Sequence, residues 1–172
     1  LPSAVAFFGV GFWIVVAAMN LKAASVAVIF ASLLALLIPL LTVSGTIRAL
    51  PRLDRERMLL VWPLAALAGW LTVAAPLNLI TTLTAFDALP AALSPSLWAI
   101  VAIVAVTVVA LGVTASLRTL AYPLPAAWGL LGAFVAEQAE KPAVAFTALG
   151  GAVVLLIAGV LLSFRLRPGV ER

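Results

Sequence analysis

Six long apolar runs, none of which contains an Asp, Glu, Lys or Arg, constrain the fold of this chain more than any other feature. A helix that crosses the hydrocarbon layer of a bilayer needs about 20 such residues, within a range of about 17–25. The runs lack the strict alternation of a membrane β-barrel. The sequence therefore predicts an all-α integral membrane protein, a single transmembrane domain over residues 1–172 with a bundle of about six helices. The predicted spans are approximately 1–19, 24–47, 58–86, 97–116, 122–136 and 142–164.

Composition agrees with a lipid environment and excludes several functions. The chain is 66% hydrophobic and 9% charged, whereas soluble domains carry about 25% charged residues. It has no cysteine and no histidine, so the commonest metal ligands and acid–base groups are missing and we expect no metal site. All 6 acidic residues fall in loops or at helix ends. We therefore predict no catalytic residue and no enzymatic activity, and the net charge of +4 forms no patch that would bind nucleic acid.

The distribution of Arg and Lys predicts the side on which each loop lies, because these residues gather in cytoplasmic loops. The fifth run has only about 15 apolar residues, and a re-entrant or interfacial segment is the alternative to a true span. With six spans the cations divide eight against two, and without the fifth span they divide five against five. Six spans with both termini in the cytoplasm are therefore favoured. The predicted cytoplasmic side holds Arg48, Arg52, Arg55, Arg57, Arg118, Arg165, Arg167 and Arg172, and the other side holds Lys22 and Lys141.

The segment PRLDRER at residues 51–57 is the main predicted cytoplasmic loop. A basic loop beside a membrane span can bind anionic lipid or a partner protein. The acids inside this one dilute its basic field, so we favour the simpler interpretation of a positive-inside anchor. The chain begins with Leu1 rather than Met, which is consistent with a start inside a longer gene product.

The segment GWLTVAAPLN at residues 69–78 places an amide and a proline inside the third apolar run. An unpaired Asn78 amide in lipid would be costly, so it should face another helix, a cavity or a ligand. Trp70, Ala74 and Asn78 are spaced by four and share one helical face. Pro76 has no N–H and therefore frees the carbonyl of Thr72. These residues predict either the wall of a pocket or a hydrogen bond between helices.

The aromatic residues divide into two groups by their depth. Trp62, Trp98 and Tyr122 lie near predicted span ends, where an aromatic belt is expected. The deeper tryptophans need an acceptor for the indole N–H and are better candidates for a cavity lining or a specific helix contact. The candidate ligand-binding residues are Trp70, Ala74, Asn78, Thr72, Trp128 and Trp13.

The same segment resembles the signature of the tryptophan-rich sensory proteins, the TspO/MBR or translocator-protein-like family, in which a Trp is followed by Ala four residues on and by Leu-Asn at seven and eight. Trp70, Ala74, Leu77 and Asn78 match that spacing. A divergent, longer bacterial branch is more similar still, since the Trp-led run SLWAIVAIVAV and the run YPLPAAWGLLGAFVAE fit its later spans. The resemblance covers roughly residues 58–164. Typical members have five spans, whereas we count six.

The resemblance implies a membrane-embedded sensory protein, often a homodimer, that binds porphyrins and other flat hydrophobic molecules. The ligand would be a tetrapyrrole, carotenoid or sterol-like lipid, stacked on Trp70 and Trp128 and oriented by Asn78. Because the chain has no histidine, a porphyrin metal would lack its usual axial ligand, and we expect metal-free binding or ligation by water, an amide or a carbonyl. No cofactor is required, and a bacterial inner (cytoplasmic) membrane is the expected location.

Two other functions fit the sequence. An accessory structural subunit of a larger membrane complex, for example a photosynthetic or respiratory one, would use its apolar faces to bind membrane lipids, pigments and partner helices. Asn78 would then only hold two helices together. Facilitated transport of a neutral solute ranks lowest, although it needs no charged coupling residue.

Overall fold

The computed structural model describes residues 2–51 and 53–164, which form seven α-helices and contain no β-strand. The prediction of an all-α fold is therefore confirmed for these residues. Leu1, Arg52 and residues 165–172, which include Arg165, Arg167 and Arg172 of the charge asymmetry, lie outside the described residues. The helices are α1 (Pro2–Ala18), α2 (Lys22–Thr42), α3 (Ser44–Ala49), α4 (Trp62–Ala85), α5 (Pro95–Leu117), α6 (Pro123–Glu137) and α7 (Pro142–Phe164), and a π-helical turn (Arg57–Val61) runs directly into α4.

Four helices of the described part of the chain are long and apolar enough to cross a membrane. Helix α1 has 17 residues and α6 has 15, which gives α6 a length of about 22 Å at 1.5 Å per residue. This length is shorter than the hydrocarbon layer of about 30 Å. The count of six spans and the cytoplasmic position of both termini therefore stay predictions. The four long segments are Lys22–Thr42, Arg57–Ala85, Pro95–Leu117 and Pro142–Ser163.

Proline is the first residue of four of the seven described helices. Helices α1, α5, α6 and α7 each have proline as their first residue, a position where the missing N–H would have had no partner within the helix. The Ser94 hydroxyl oxygen accepts a hydrogen bond from the Leu97 N–H at 3.3 Å and caps α5. At the other end of α5, Arg118 has a φ of 49°, which places it in the left-handed conformation that commonly ends a helix.

Helix α4 occupies the centre of the bundle, because it packs against α2 on one side and against α5 and α6 on the other. Helix α7 packs on α5 and α6, and α1 packs on α2. Leu36, Leu71 and Leu130 are buried where these helices meet. The outward faces carry large apolar side chains such as Phe8, which is 80% exposed. A surface of this kind is stable in lipid and would aggregate in water.

One arginine of the predicted cytoplasmic side is buried and joins the ends of two helices. The Arg57 guanidinium donates hydrogen bonds to the carbonyls of Ile47 at 3.0 Å and Leu50 at 3.2 Å, at the end of α3. It also donates to the carbonyl of Arg118 at 3.1 Å, at the end of α5. The last carbonyls of a helix have no partner within it and carry a partial negative charge, so a cation is favourable at both positions.

The contact between α4 and α6 depends on two glycines. A Cβ built on Gly69 would collide with the backbone carbonyl oxygen of Tyr122. A Cβ built on Gly129 would lie 3.1 Å from a methyl carbon of Val73. Small residues allow close helix approach in membranes, where dispersion contacts replace the hydrophobic effect as the driving force. Gly69 and Gly129 therefore define how close the two helices come.

We expect Gly69→Ala to destabilise the bundle by about 1–3 kcal/mol, because the added methyl must push α4 away from α6. Gly112→Ala is the matched control, since a Cβ at Gly112 in α5 meets no atom within 4 Å. This control should be neutral or slightly stabilising, by about 0.4–1 kcal/mol. Unfolding by SDS in mixed micelles measures both variants. Equal stability of the two would show that α4 and α6 do not approach at Gly69.

Candidate functional site

A cavity of about 700 Å³ lies between α4, α5 and α6, and it reaches the beginning of α7. Its volume falls within the range of about 300–1,000 Å³ that is typical of small-molecule sites. The α4 wall is made by Trp70, Val73, Leu77, Ile80 and Thr84, whose spacing of three or four residues places them on one face of the helix. Half of the lining residues that α5 and α6 contribute are alanine or glycine, and their small side chains leave the space open. Those small residues are Ala99 and Ala102 of α5 and Gly129, Gly132, Ala133 and Ala136 of α6.

Two tryptophans form the aromatic end of this cavity. Trp70 of α4 and Trp128 of α6 both line it, near the point where Val73 and Gly129 bring the two helices together. Trp70 is 46% exposed and Trp128 is 70% exposed. Both indoles are therefore only partly covered by the protein. The structure thus brings together two of the six predicted site residues.

An ion pair forms the other end of the cavity. The Lys141 ammonium lies 3.0 Å from a carboxylate oxygen of Glu137, and both residues line the cavity. Sequence reasoning missed this pair as part of a site, although the i,i+4 spacing was a visible signal for an ion pair. The nearby hydroxyls of Thr81 and Thr84 each donate to a carbonyl of their own helix at 2.8 Å, so the rest of the lining presents little polarity.

Asn78 lies outside the cavity lining and holds helices together. Its amide N–H donates to the Ser25 hydroxyl oxygen at 2.7 Å, and the Trp13 indole N–H donates to the same oxygen at 2.8 Å. The Thr82 hydroxyl lies 3.5 Å from the Asn78 amide oxygen. We call these four residues the polar cluster; it joins α1, α2 and α4. Of the two alternatives that the sequence left open for Asn78, the structure shows the hydrogen bond between helices.

The rotation of α4 explains why Trp70 and Asn78 face different neighbours. The eight residues from Trp70 to Asn78, at 100° per residue, amount to two full turns plus about 80°, so the two side chains point about 80° apart around the helix axis. Because α4 lies between α2 and the pair α5 and α6, this rotation is enough to move a side chain from the cavity to the α2 side. Ala74, midway between them, is partly buried against the core and does not line the cavity.

Thr72 is buried and takes part in the contact between α4 and α6. Its hydroxyl donates to the Ala68 carbonyl at 2.8 Å, so the Tyr122 hydroxyl, which lies 2.8 Å from the same oxygen, is the donor in their mutual bond. The prediction that Tyr122 belongs to an interfacial aromatic belt is wrong, because its side chain is 0% exposed. The phenol finds its hydrogen-bond partner inside the bundle, where Gly69 lets the Tyr122 backbone approach α4.

The fold and the cavity define an α-helical membrane protein with an apolar site between its helices. The family model described as TSPO-like protein matches residues 2–161, and the chain belongs to this family of membrane proteins. The resemblance read from residues 58–164 is thereby confirmed, and it extends over α1, α2 and α3 as well. No curated protein and no solved structure matches the chain.

We expect Asn78→Ala to lower the stability of the bundle, because the polar cluster loses its link between α2 and α4. A double-mutant cycle of Asn78→Ala with Ser25→Ala should give a coupling of about 0.6 kcal/mol, and at most about 2. Thr81→Ala is the control, since the Thr81 hydroxyl bonds only to the Leu77 carbonyl of its own helix. SDS unfolding measures the cycle. A coupling of zero would mean that the Asn78–Ser25 bond contributes nothing to packing.

Proposed function

We propose that this protein is a non-catalytic sensory protein that binds a hydrophobic small molecule in the cavity between α4, α5 and α6. The ligand classes are a tetrapyrrole without a protein-ligated metal, a carotenoid and a sterol-like lipid. The proposed location is a bacterial cytoplasmic membrane. Membership of the TSPO-like family, which is generally non-enzymatic, supports a binding role over a catalytic one.

The observation that carries this proposal is the combination of an apolar cavity with two uncovered indoles. Trp70 and Trp128 line the cavity and are partly exposed. Stacking on an aromatic ring is favourable for flat or conjugated molecules, and aromatic pairs contribute about 0.5–1.5 kcal/mol beyond the area they bury. Trp70 and Trp128 are therefore the proposed ligand contacts.

The remaining predicted site residues receive a supporting role in this proposal. The Asn78 amide and the Trp13 indole are already bonded to Ser25, and Thr72 is bonded to Tyr122. A ligand that used these groups would have to break a hydrogen bond in a solvent that offers no replacement. We propose that Trp13, Thr72, Ala74 and Asn78 hold α4 in the orientation that turns Trp70 toward the cavity.

Trp70→Leu and Trp128→Leu should each weaken binding about three- to tenfold, because each removes one stacking surface. The assay is quenching of indole fluorescence by protoporphyrin IX, and separately by a carotenoid, with the protein in lipid nanodiscs. Trp62→Leu is the matched control, since Trp62 is also in α4 and 38% exposed but does not line the cavity. Wild-type affinity in both cavity variants would refute this assignment of the site.

A second candidate function is that of an accessory subunit, and the surface of α1 favours it. Helix α1 packs against α2 and leaves Phe7, Phe8 and Phe12 exposed by 54%, 80% and 58%. Either lipid chains or a helix of a partner protein, such as a photosynthetic or respiratory complex or a second copy of the chain, would cover this face.

For an accessory subunit, native mass spectrometry after extraction in mild detergent should show other subunits in fixed stoichiometry. Phe8→Ala combined with Phe12→Ala should release them, because the contact loses most of its aromatic area. Val108→Ala is the control, since it lies on the outer face of α5 at 63% exposure. A protein that migrates alone or as a homodimer would exclude the accessory role.

A further inference from the structure

The charged end of the cavity limits which polar group a ligand can carry, whereas the apolar walls do not. Among the described residues that line the cavity, Glu137 and Lys141 are the charged ones, and they contact each other at 3.0 Å. Glu137 is the last residue of α6, and Lys141 immediately precedes α7. Their side chains are 34% and 44% exposed, so both can move to admit a polar group at the end of the cavity.

The distance between the two ends indicates an elongated ligand. Trp128 and Glu137 are nine residues apart in α6 and both line the cavity, which separates them by about 14 Å along the helix axis. One end is therefore aromatic and apolar, and the other end carries the ion pair. A molecule that contacts both ends has a long apolar body and one polar terminus.

The hydrogen-bond donors of Lys141 and acceptors of Glu137 determine which polar terminus of a ligand fits this end of the cavity. A carboxylate only accepts hydrogen bonds and an ammonium only donates them. A ligand carboxylate would have to share Lys141 with Glu137 and would place two negative charges side by side, and a ligand ammonium would place two positive charges side by side. A hydroxyl can accept from Lys141 and donate to Glu137 at the same time, so neither charge loses its compensation.

The helix ends around the cavity favour neither sign of charge on the ligand. The lining includes Ala85 and Glu137 at the carboxyl ends of α4 and α6, and Pro95 at the amino end of α5. Lys141 lies at the amino end of α7. Carboxyl ends are partly negative and amino ends partly positive, so two of each sign largely cancel. This end of the cavity therefore contains one positive and one negative side chain and has no net charge.

We infer that the Glu137–Lys141 pair is the subsite for an uncharged hydroxyl terminus of an elongated, otherwise apolar ligand whose body lies along Trp70 and Trp128. This inference rests on the proposed binding function and narrows its ligand classes. It favours hydroxylated elongated molecules over tetrapyrroles, whose carboxylates would compete with Glu137 for Lys141.

Three retinoids that share one apolar body and differ in the terminus test the subsite. Retinol, retinoic acid and retinylamine are titrated into the protein in nanodiscs of zwitterionic lipid, and energy transfer from indole to retinoid reports binding. The wild type should bind retinol most tightly. Glu137→Gln should shift the preference toward retinoic acid, and Lys141→Gln toward retinylamine, each by about fivefold, the upper range for partly exposed ion pairs.

Glu140→Gln is the matched control, because Glu140 is an exposed acid of the same loop that does not line the cavity. Its retinoid preference should equal that of the wild type. Equal affinity for all three retinoids, or preferences that stay unchanged in the Glu137→Gln and Lys141→Gln variants, would overturn the subsite while leaving the cavity as a binding site. Absence of energy transfer with every retinoid would overturn the inference of an elongated ligand. If protoporphyrin IX and the carotenoid also failed to quench the indole fluorescence, the proposed binding function itself would be contradicted.

Discussion

The close approach of α4 and α6 at Gly69 is the contact on which the rest of the site depends. Gly69 has no Cβ that would collide with the Tyr122 carbonyl oxygen, so α6 can approach α4 closely. The Tyr122 hydroxyl then reaches Thr72, and the two helices hold a defined register. That register places Gly129 against Val73 and brings Trp128 to the same cavity as Trp70. Farther along α6, Gly132 and Ala136 have no bulk to fill the space, and the cavity opens there.

The hydrocarbon layer also explains why the polar groups of this chain are separated from its cavity. Lipid chains offer no hydrogen bonds, so each embedded polar group must find a partner within the protein. The Ser25 hydroxyl accepts from both Trp13 and Asn78 on one side of α4. The cavity on the other side stays apolar apart from its end, where Glu137 and Lys141 compensate each other. Helix packing and the proposed ligand contact thus use different faces of α4.

The sequence allowed some of this arrangement to be predicted, and physical reasons limit the rest. Trp13, Trp70 and Trp128 were candidates for a cavity lining or a specific helix contact; Trp70 and Trp128 line the cavity, and Trp13 makes the helix contact. Asn78 was placed on the wall with Trp70, but periodicity describes one helix and does not say which neighbour faces each angle. Tyr122 was assigned to an aromatic belt from its position near a span end. Its burial depends on Gly69 and Thr72, which are about 50 residues away in the chain.

The sequence by itself determined the helical class, the membrane environment and the family, because the length and apolarity of the runs and the spacing of Trp70, Ala74 and Asn78 are local properties of the chain. Only the tertiary structure decided which side of α4 faces a cavity and which faces α2. It also decided that Asn78 bonds to Ser25 and that the Glu137–Lys141 pair lies at the end of the cavity. These outcomes depend on how closely helices that are far apart in the sequence pack together. Glycines and alanines set that spacing, and no local sequence pattern identifies the residues that they contact.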